Sequence, residues 1–243
     1  MAKNDLFHII AHRGHSTYAP ENTISAFILA KLYGAHYVEF DVRLTQDGVA
    51  IILHDETLAR TTNGAGLIHE CTYEYTQTLD AGSWFTLNGK KEIIPTLEKT
   101  IEILNKLQLN AHIELKPSRH NVIHTAEQTV SLLRKLWTHS QLPLISSFNV
   151  PCLEHALIHA PEYPRGLLLD KWKKNWHELA LRVQCSGIHL NHESITPHRI
   201  KKIKDAGYMV FAYTVNHPER AKQMHTWGVD GIYSDGPQIL SGN

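Results

Sequence analysis

The 243-residue sequence predicts an α/β fold, a (β/α)8 TIM barrel with an insertion after its second strand. Three observations lead there. The length suits one such barrel, which typically needs about 250 residues to build its core. Short β-branched or aromatic runs alternate with helical stretches along the whole chain, which reads as a closed parallel barrel rather than an open sheet. One long segment, from about residue 44 to residue 95, breaks an otherwise regular alternation. No linker, low-complexity tract or repeat divides the chain, so residues 1–243 are expected to form one domain.

The expected strands are Phe7–Ala11, Tyr37–Val42, Ala111–Leu115, Leu144–Ser147, Gly166–Leu169, Gly187–Leu190, Met209–Tyr213 and Gly231–Tyr233. Helices are expected near 22–33, 96–107, 121–138, 150–160, 172–183, 197–206 and 217–226. Boundary residues support these spans. Pro20-Glu21-Asn22-Thr23 sets a proline and capping residues before Ile24, Phe27 and Ile28, and Gly34 can close that helix. Pro95-Thr96 does the same before Leu97, Ile101 and Leu104. Ile195-Thr196-Pro197 supplies an N-cap followed by proline in the first turn.

The segment between the second strand and Thr96 is far longer than an ordinary βα loop. Asp47-Gly48 signals a hairpin joining Tyr37–Leu44 to an apolar strand, Val49–Leu53. Turn-rich, aromatic stretches follow, ending in Trp84-Phe85. A segment inserted after a barrel strand emerges at the face where active sites of this fold lie, so it is expected to cover substrate.

Bulk properties exclude several classes. Lysine plus arginine equals aspartate plus glutamate at 24 each, so no net charge draws the chain to nucleic acid or anionic lipid. Cys71, Cys152 and Cys185 are three and widely spaced, which fits neither a disulfide framework nor a cysteine zinc site. The apolar run Leu6–Ala11 is too short for a secretion signal, and no run reaches the ~18 residues of a membrane span. A cytoplasmic protein without stable membrane insertion is expected. Oligomeric state is not legible.

Eighteen histidines make residue type poor evidence, so position must discriminate. His12-Arg13-Gly14 follows the first strand. Glu39 and Asp41 stand two apart near the end of the second, and Glu114 and Lys116 repeat that spacing at the end of the third, so each pair shares a face. Three carboxylates at one rim repel in a low-dielectric site, and a divalent cation relieves that repulsion. A lone Glu-x-Asp pair would be read as surface. Here Tyr-Val-Glu-Phe-Asp-Val marks a buried strand, where unpaired charge is costly. All-oxygen ligands suit Mg2+ or Ca2+ better than zinc.

The hairpin folds His54 back towards that rim, so His12 and His54 can flank a phosphate as acid and base. Arg13 and Lys116 are the natural phosphate contacts, a fork and a point charge, and also natural partners for the carboxylates. His8 and His112 share the parity of His12 and Glu114. They lie about 13 Å and 7 Å back along their strands, so both are read as packing. His15 completes His-x-x-His, a weak zinc signal across a turn. The Pro20–Thr23 block is chiefly helix-start chemistry, with a second role in holding the His12 loop weighed evenly.

At these residues the chain resembles the glycerophosphodiester phosphodiesterase family. The matching blocks are Ala11-His12-Arg13-Gly14, Pro20-Glu21-Asn22-Thr23, Glu39-Phe40-Asp41-Val42, Leu53-His54-Asp55, Ile94-Pro95-Thr96-Leu97-Glu98 and Glu114-Leu115-Lys116. Ser146-Ser147-Phe148, Ala212-Tyr213-Thr214-Val215-Asn216 and Gly228-Val229-Asp230-Gly231-Ile232 follow in order, so the resemblance spans almost the whole chain. It implies a divalent metal on Glu39, Asp41 and Glu114, acid/base histidines at His12 and His54, and substrate contacts at Arg13, Lys116, Phe148 and Tyr213. It further implies conversion of small glycerophosphodiesters to glycerol 3-phosphate and an alcohol. One route it allows has the substrate's own glycerol hydroxyl attack phosphorus, giving a cyclic phosphate that water opens. The size and the missing signal are similar to the compact cytoplasmic bacterial branch.

The chain departs from the family at three places. Tyr213 stands where tryptophan is usual, His15 follows the glycine where a small residue is common, and Tyr233-Ser234-Asp235-Gly236-Pro237 lacks the aromatic before proline. These bear on the alcohol group, not on the metal or histidines. Two other readings use the same barrel. A lysophospholipase D-like or sphingomyelinase D-like enzyme would show a wide apolar channel. A non-catalytic barrel binding phosphorylated ligands would not need the intact set His12, His54, Glu39, Asp41, Glu114 and Lys116.

Overall fold

The computed structural model describes residues 7–85 and 91–240. The start of the apolar run at Leu6 and residues 86–90 of the insertion lie outside the described residues. Eight parallel strands form the barrel: β1 (His8–Ala11), β2 (Tyr37–Leu44), β4 (Asn110–Leu115), β5 (Leu144–Ser147), β6 (Arg165–Leu169), β7 (Gly187–Asn191), β8 (Met209–Tyr213) and β9 (Gly231–Ser234). Each pairs with the next, and β1 pairs with both β2 and β9, which closes the ring. The hairpin strand β3 (Ala50–Ile52) lies antiparallel on the outer part of β2, Val42 opposite Ile52.

Helices α1 (Ile24–Leu32), α3 (Leu97–Leu107), α4 (Val122–Leu136), α5 (Val150–His159), α6 (Trp176–Arg182), α7 (Pro197–Asp205) and α8 (Pro218–Thr226) follow their strands as expected. Their starts use the residues the sequence offered. Thr23, Thr96 and Thr196 each accept a hydrogen bond from the backbone three residues on, and Pro197 occupies the first turn. The helix expected over 172–183 begins only at Trp176. Trp172 instead lies under the Arg199 guanidinium, 5.1 Å from its ring centroid, so the chain leaves the helical path.

The main core lies between sheet and helices. Outward residues of β2, Val38, Phe40 and Val42, pack with Phe27, Leu97 and Ile101. Inside the ring, Ile10, Phe211 and Tyr233 form a small apolar cluster. Among them the Tyr233 hydroxyl bridges His112 Nδ1 at 2.8 Å and His189 Nδ1 at 2.9 Å. Glycine at 166 makes room for this layer, since a Cβ there would stand 2.4 Å from His189 Nε2. His112 is thus the packing residue its parity suggested. His8 lies against Tyr37 and lines a cavity with Tyr37 and Asn110 at the amino ends of the strands.

Arg165, buried at the start of β6, donates to the carbonyls of Ala160, Pro161, Tyr163, Val183 and Gln184. It pins the connections from α5 to β6 and from α6 to β7.

The insertion has its own core of Ile51, Leu53, Leu58, Ile68, Leu79, Ala81 and Ile94. It contains one short helix the turn-rich sequence did not suggest, α2 (Tyr73–Thr78), capped by Thr72.

Candidate active site

The carboxyl ends of the strands open onto a cleft of about 400 Å3. From β1 to β4 it is lined by His12, Arg13, Glu39, His54, Glu114 and Lys116, and from β5 to β8 by Phe148, Leu168, Asn191, His192, Glu193 and Tyr213. All the residues named from sequence except buried Asp41 reach the cleft wall. Asp41 lies just behind it.

Neighbouring strands bring the acids together. Asp41 stands opposite Glu114 in the β2–β4 register, with Glu39 opposite His112. Ligating oxygens of Glu39, Asp41 and Glu114 all lie within 4.8 Å of one another. Burial, with Asp41 and Glu114 adding like charge, pushes Glu39 well above the usual carboxylate range. Burial likewise pushes Glu114 up to about 7 against the pull of Lys116. Burial opposes ionisation of Asp41 too, but Lys116 and Arg13 outweigh it and hold Asp41 low. The donor set fits a hard divalent cation: three clustered oxygen donors, two resisting ionisation together, and Asp41 Oδ1 buried without a hydrogen bond.

The β1 loop is shaped around this cluster. Arg13 has φ 56°, left-handed and strained for a residue with a side chain, and its N–H donates to Glu39 Oε2 at 3.0 Å. Gly14 follows at φ 81°, where a Cβ would stand 2.7 Å from the Ala26 carbonyl carbon. The Pro20–Thr23 block plays both roles weighed for it. Thr23 caps α1, while Asn22 donates Nδ2 to Asp41 Oδ2 at 2.8 Å and its N–H to the Arg13 carbonyl at 3.0 Å.

Both cations pair with carboxylates and line the cleft. Lys116 Nζ donates to Glu114 Oε1 at 2.8 Å and lies 3.5 Å from Asp41 Oδ1. Arg13 Nε lies 3.5 Å from Asp41 Oδ2, and its Nη1 donates to Glu21 at 2.7 Å.

Each histidine is anchored through Nδ1. His12 Nδ1 lies 2.6 Å from Asp235 Oδ1, and its Nε2 is 4.0 Å from Glu39 Oε2. Burial alone would raise Asp235, but His12, Asn216 and Ser16 hold it down to about 2. His54 Nδ1 lies 2.6 Å from Asp55 Oδ1, and burial lowers His54 against the opposing pull of Asp41. An ionised carboxylate only accepts, so each shared proton sits on Nδ1, leaving Nε2 to meet a ligand.

Phe148 and Tyr213 stack edge to face with centroids 6.0 Å apart, and Lys116 Nζ lies 5.9 Å from the Phe148 centroid. The Tyr213 hydroxyl is buried without a partner. His15 does not join His12. It is fully buried, its ring 4.9 Å from that of Tyr18 and 4.8 Å from that of Tyr33, so the His-x-x-His signal is packing.

Sequence reasoning missed Asp235, Asp55 and Arg60. Asp235 follows directly on β9, the position barrel geometry reserves for such groups, and Asp55 adjoins His54. Among the described residues of the insertion, His54 lines the cleft.

A closed parallel barrel with acids, cations and two anchored histidines around one carboxyl-end cleft is the architecture of a barrel enzyme acting on an anion. Residues 12–239 match the model of the glycerophosphoryl diester phosphodiesterase family. A glycerophosphodiester phosphodiesterase of Caldanaerobacter subterraneus subsp. tengcongensis is 36% identical over 96% of this chain and 95% of its own. One from Bacillus subtilis is 30% identical over 95% and 84%. An Oleispira antarctica phosphodiesterase solved with the product sn-glycerol-3-phosphate superposes with a TM-score of 0.94 at 36% identity, covering 97% and 96% of the two chains. The chain belongs to the glycerophosphoryl diester phosphodiesterase family, and it is an enzyme of phosphodiester hydrolysis. Among the described residues no helix is long and apolar enough to cross a membrane.

Proposed function

We propose that the chain hydrolyses glycerophosphodiesters to glycerol 3-phosphate and an alcohol, with Glu39, Asp41 and Glu114 holding Mg2+ or Ca2+ and His12 and His54 moving the protons. The observation that carries this reading is one cleft holding two Nδ1-anchored histidines beside a clustered acid trio. Glu39, Asp41 and Glu114 would hold the cation, which when bound would supply positive charge for the phosphodiester. Arg13 and Lys116 add donors for the phosphoryl oxygens. One Nε2 accepts the proton of the attacking oxygen while the other gives a proton to the departing alkoxide, so the P–O bond to the alcohol breaks as the new one forms. Where the attacker is the substrate's own glycerol hydroxyl, water then opens the cyclic phosphate to glycerol 3-phosphate. Asp235 and Asp55 hold the Nδ1 proton of both rings, so Nε2 is bare in the base and carries the second proton of an imidazolium in the acid. Phe148 and Tyr213 stand at the strand ends beyond Lys116, where the alcohol group would lie.

The same reading takes the chain as one domain spanning residues 1–243, with the insertion at about 44–95. It places the reaction in the cytoplasm, which three unpaired cysteines support. Asn191, His192 and Glu193 line the cleft beyond Leu168, which favours small polar diesters over acylated lysolipids. The test is release of glycerol 3-phosphate by purified protein from a panel of glycerophosphodiesters. Excess chelator should abolish release and Mg2+ or Ca2+ restore it. Full activity in chelator, with no tightly held metal detected, would sink the metal assignment.

A further inference from the structure

We propose that Arg60, in the insertion, is a positioning residue that aims His54 and ties it to Arg13. This inference deepens the proposed function and rests on its assignment of His54. Arg60 donates Nε to Asp55 Oδ2 at 2.6 Å and Nη2 to Asp55 Oδ1 at 3.0 Å. It also donates Nη1 to Glu21 Oε2 and Nη2 to Glu21 Oε1, both at 2.8 Å. One guanidinium thus makes two bidentate pairs. Each carboxylate passes the constraint on: Asp55 Oδ1 to His54 Nδ1 at 2.6 Å, and Glu21 Oε1 to Arg13 Nη1 at 2.7 Å. The chain of contacts spans two unconnected segments, the insertion and the loop after β1.

A single exposed ion pair is worth little, and Arg60 is 43% exposed. The fork geometry changes that balance, because two planar bidentate contacts fix orientation as well as distance. Asp55 is one-quarter exposed, and a carboxylate held by one histidine alone could rotate. Engaged at both oxygens by Arg60, it presents Oδ1 to the His54 ring in one direction. No lysine can replace this, since an ammonium offers no planar fork. The insertion therefore contributes more than His54: it brings the clamp that orients it.

The test compares Arg60→Gln, Arg60→Lys, Asp55→Asn, His54→Ala and the double variant Arg60→Gln with Asp55→Asn. Arg60→Gln should lower kcat roughly 10- to 100-fold with KM within about threefold and thermal midpoint nearly unchanged. Arg60→Lys should recover less than half of that loss on a logarithmic scale. The double variant should lose clearly less than the sum of the two single losses, because Arg60 and Asp55 share one route to the His54 ring. Nitrogen NMR of His54 should show a single Nδ1–H tautomer in the parent and a mixture in Arg60→Gln. That readout needs no substrate. A kcat within twofold of the parent, additive losses, or an unchanged tautomer overturns the role of Arg60 even where His54→Ala is inactive. Retained activity in His54→Ala, or none in the parent, strikes the underlying assignment instead.

Discussion

Two layers of side chains inside the same barrel, separated by two residues along each strand, behave in opposite ways. Glu114 belongs to the rim and His112 to the layer beneath, about 7 Å deeper. In the lower layer the Tyr233 hydroxyl donates to one imidazole and accepts from the other, joining His112 and His189 without any charge. His189 Nε2 is buried without a hydrogen bond. At the rim Glu39, Asp41 and Glu114 face Arg13 and Lys116, three acids against two cations, and Asp41 Oδ1 has no hydrogen bond. A layer that neutralises itself is part of the barrel's packing. A layer that does not has the makings of a site, and the proposed cation would balance its charge.

The sharpest way to break this contrast is at the two anchored histidines. Either His12→Ala or His54→Ala should lower kcat by at least about 100-fold, the lower end for general acid–base catalysis. The double variant should be little worse than the worse single one, since both act in one transition state. A diester with an aryloxide leaving group should rescue the variant that lost the acid and not the one that lost the base. If neither variant responds to leaving-group acidity, the division of proton work is wrong.

A loss of comparable size is expected at Lys116, which pairs with the rim acids and lines the cleft. Burial disfavours its charge, but Asp41 and Glu114 keep it protonated and raise it above its ordinary value. Lys116→Ala should reduce kcat about 100- to 1000-fold if the ammonium also stabilises the reacting phosphoryl group, with the fold retained. Steady-state kinetics alongside circular dichroism checks this. A near-parental rate would leave Lys116 only its pairing with Glu114.

What was legible in the sequence follows the physics of each feature. Barrel strands were visible because both faces of each are buried, so they read as short apolar runs whose ends moved by one or two residues. Glu39, Asp41 and Glu114 were visible because charge within such a run has no ordinary structural use. Asp235, Asp55 and Arg60 were not, because they stand in polar loops where an acid or an arginine is unremarkable. Their roles come from contacts such as that of His12 with Asp235, 223 residues apart. The insertion's separate core was equally hidden. Its core draws on residues from Ile51 to Ile94 that show no periodicity a window could detect. Trp172 misled in the same way, since helical spacing says nothing of Arg199.

The smallest effect expected is on stability, and it probes the lower layer alone. Burial, with His8 nearby, pushes His112 down to about 3, and burial, with His112 nearby, holds His189 well below its ordinary value of 6.5. Both are therefore neutral in the fold, whereas the unfolded chain protonates them below about pH 6.5. Between that pH and about 3 the unfolded state binds more protons, so stability rises with pH across the window and is lost as pH falls through it. Above 6.5 the contribution is complete and flat. The raised carboxyls Glu39 and Glu114 act in the opposite sense, since the fold holds their protons to higher pH than the unfolded chain does. Comparing the parent with His189→Asn cancels that contribution, because the rim is the same in both. The asparagine amide can still meet the Tyr233 hydroxyl but cannot titrate. Urea unfolding from pH 6 to 4.5 should give the parent the steeper dependence, by roughly 1.4 kcal/mol per pH unit, one proton's worth. Equal slopes would mean that His189 is already charged in the fold, and the lower layer would then lose the neutrality that sets it apart from the rim.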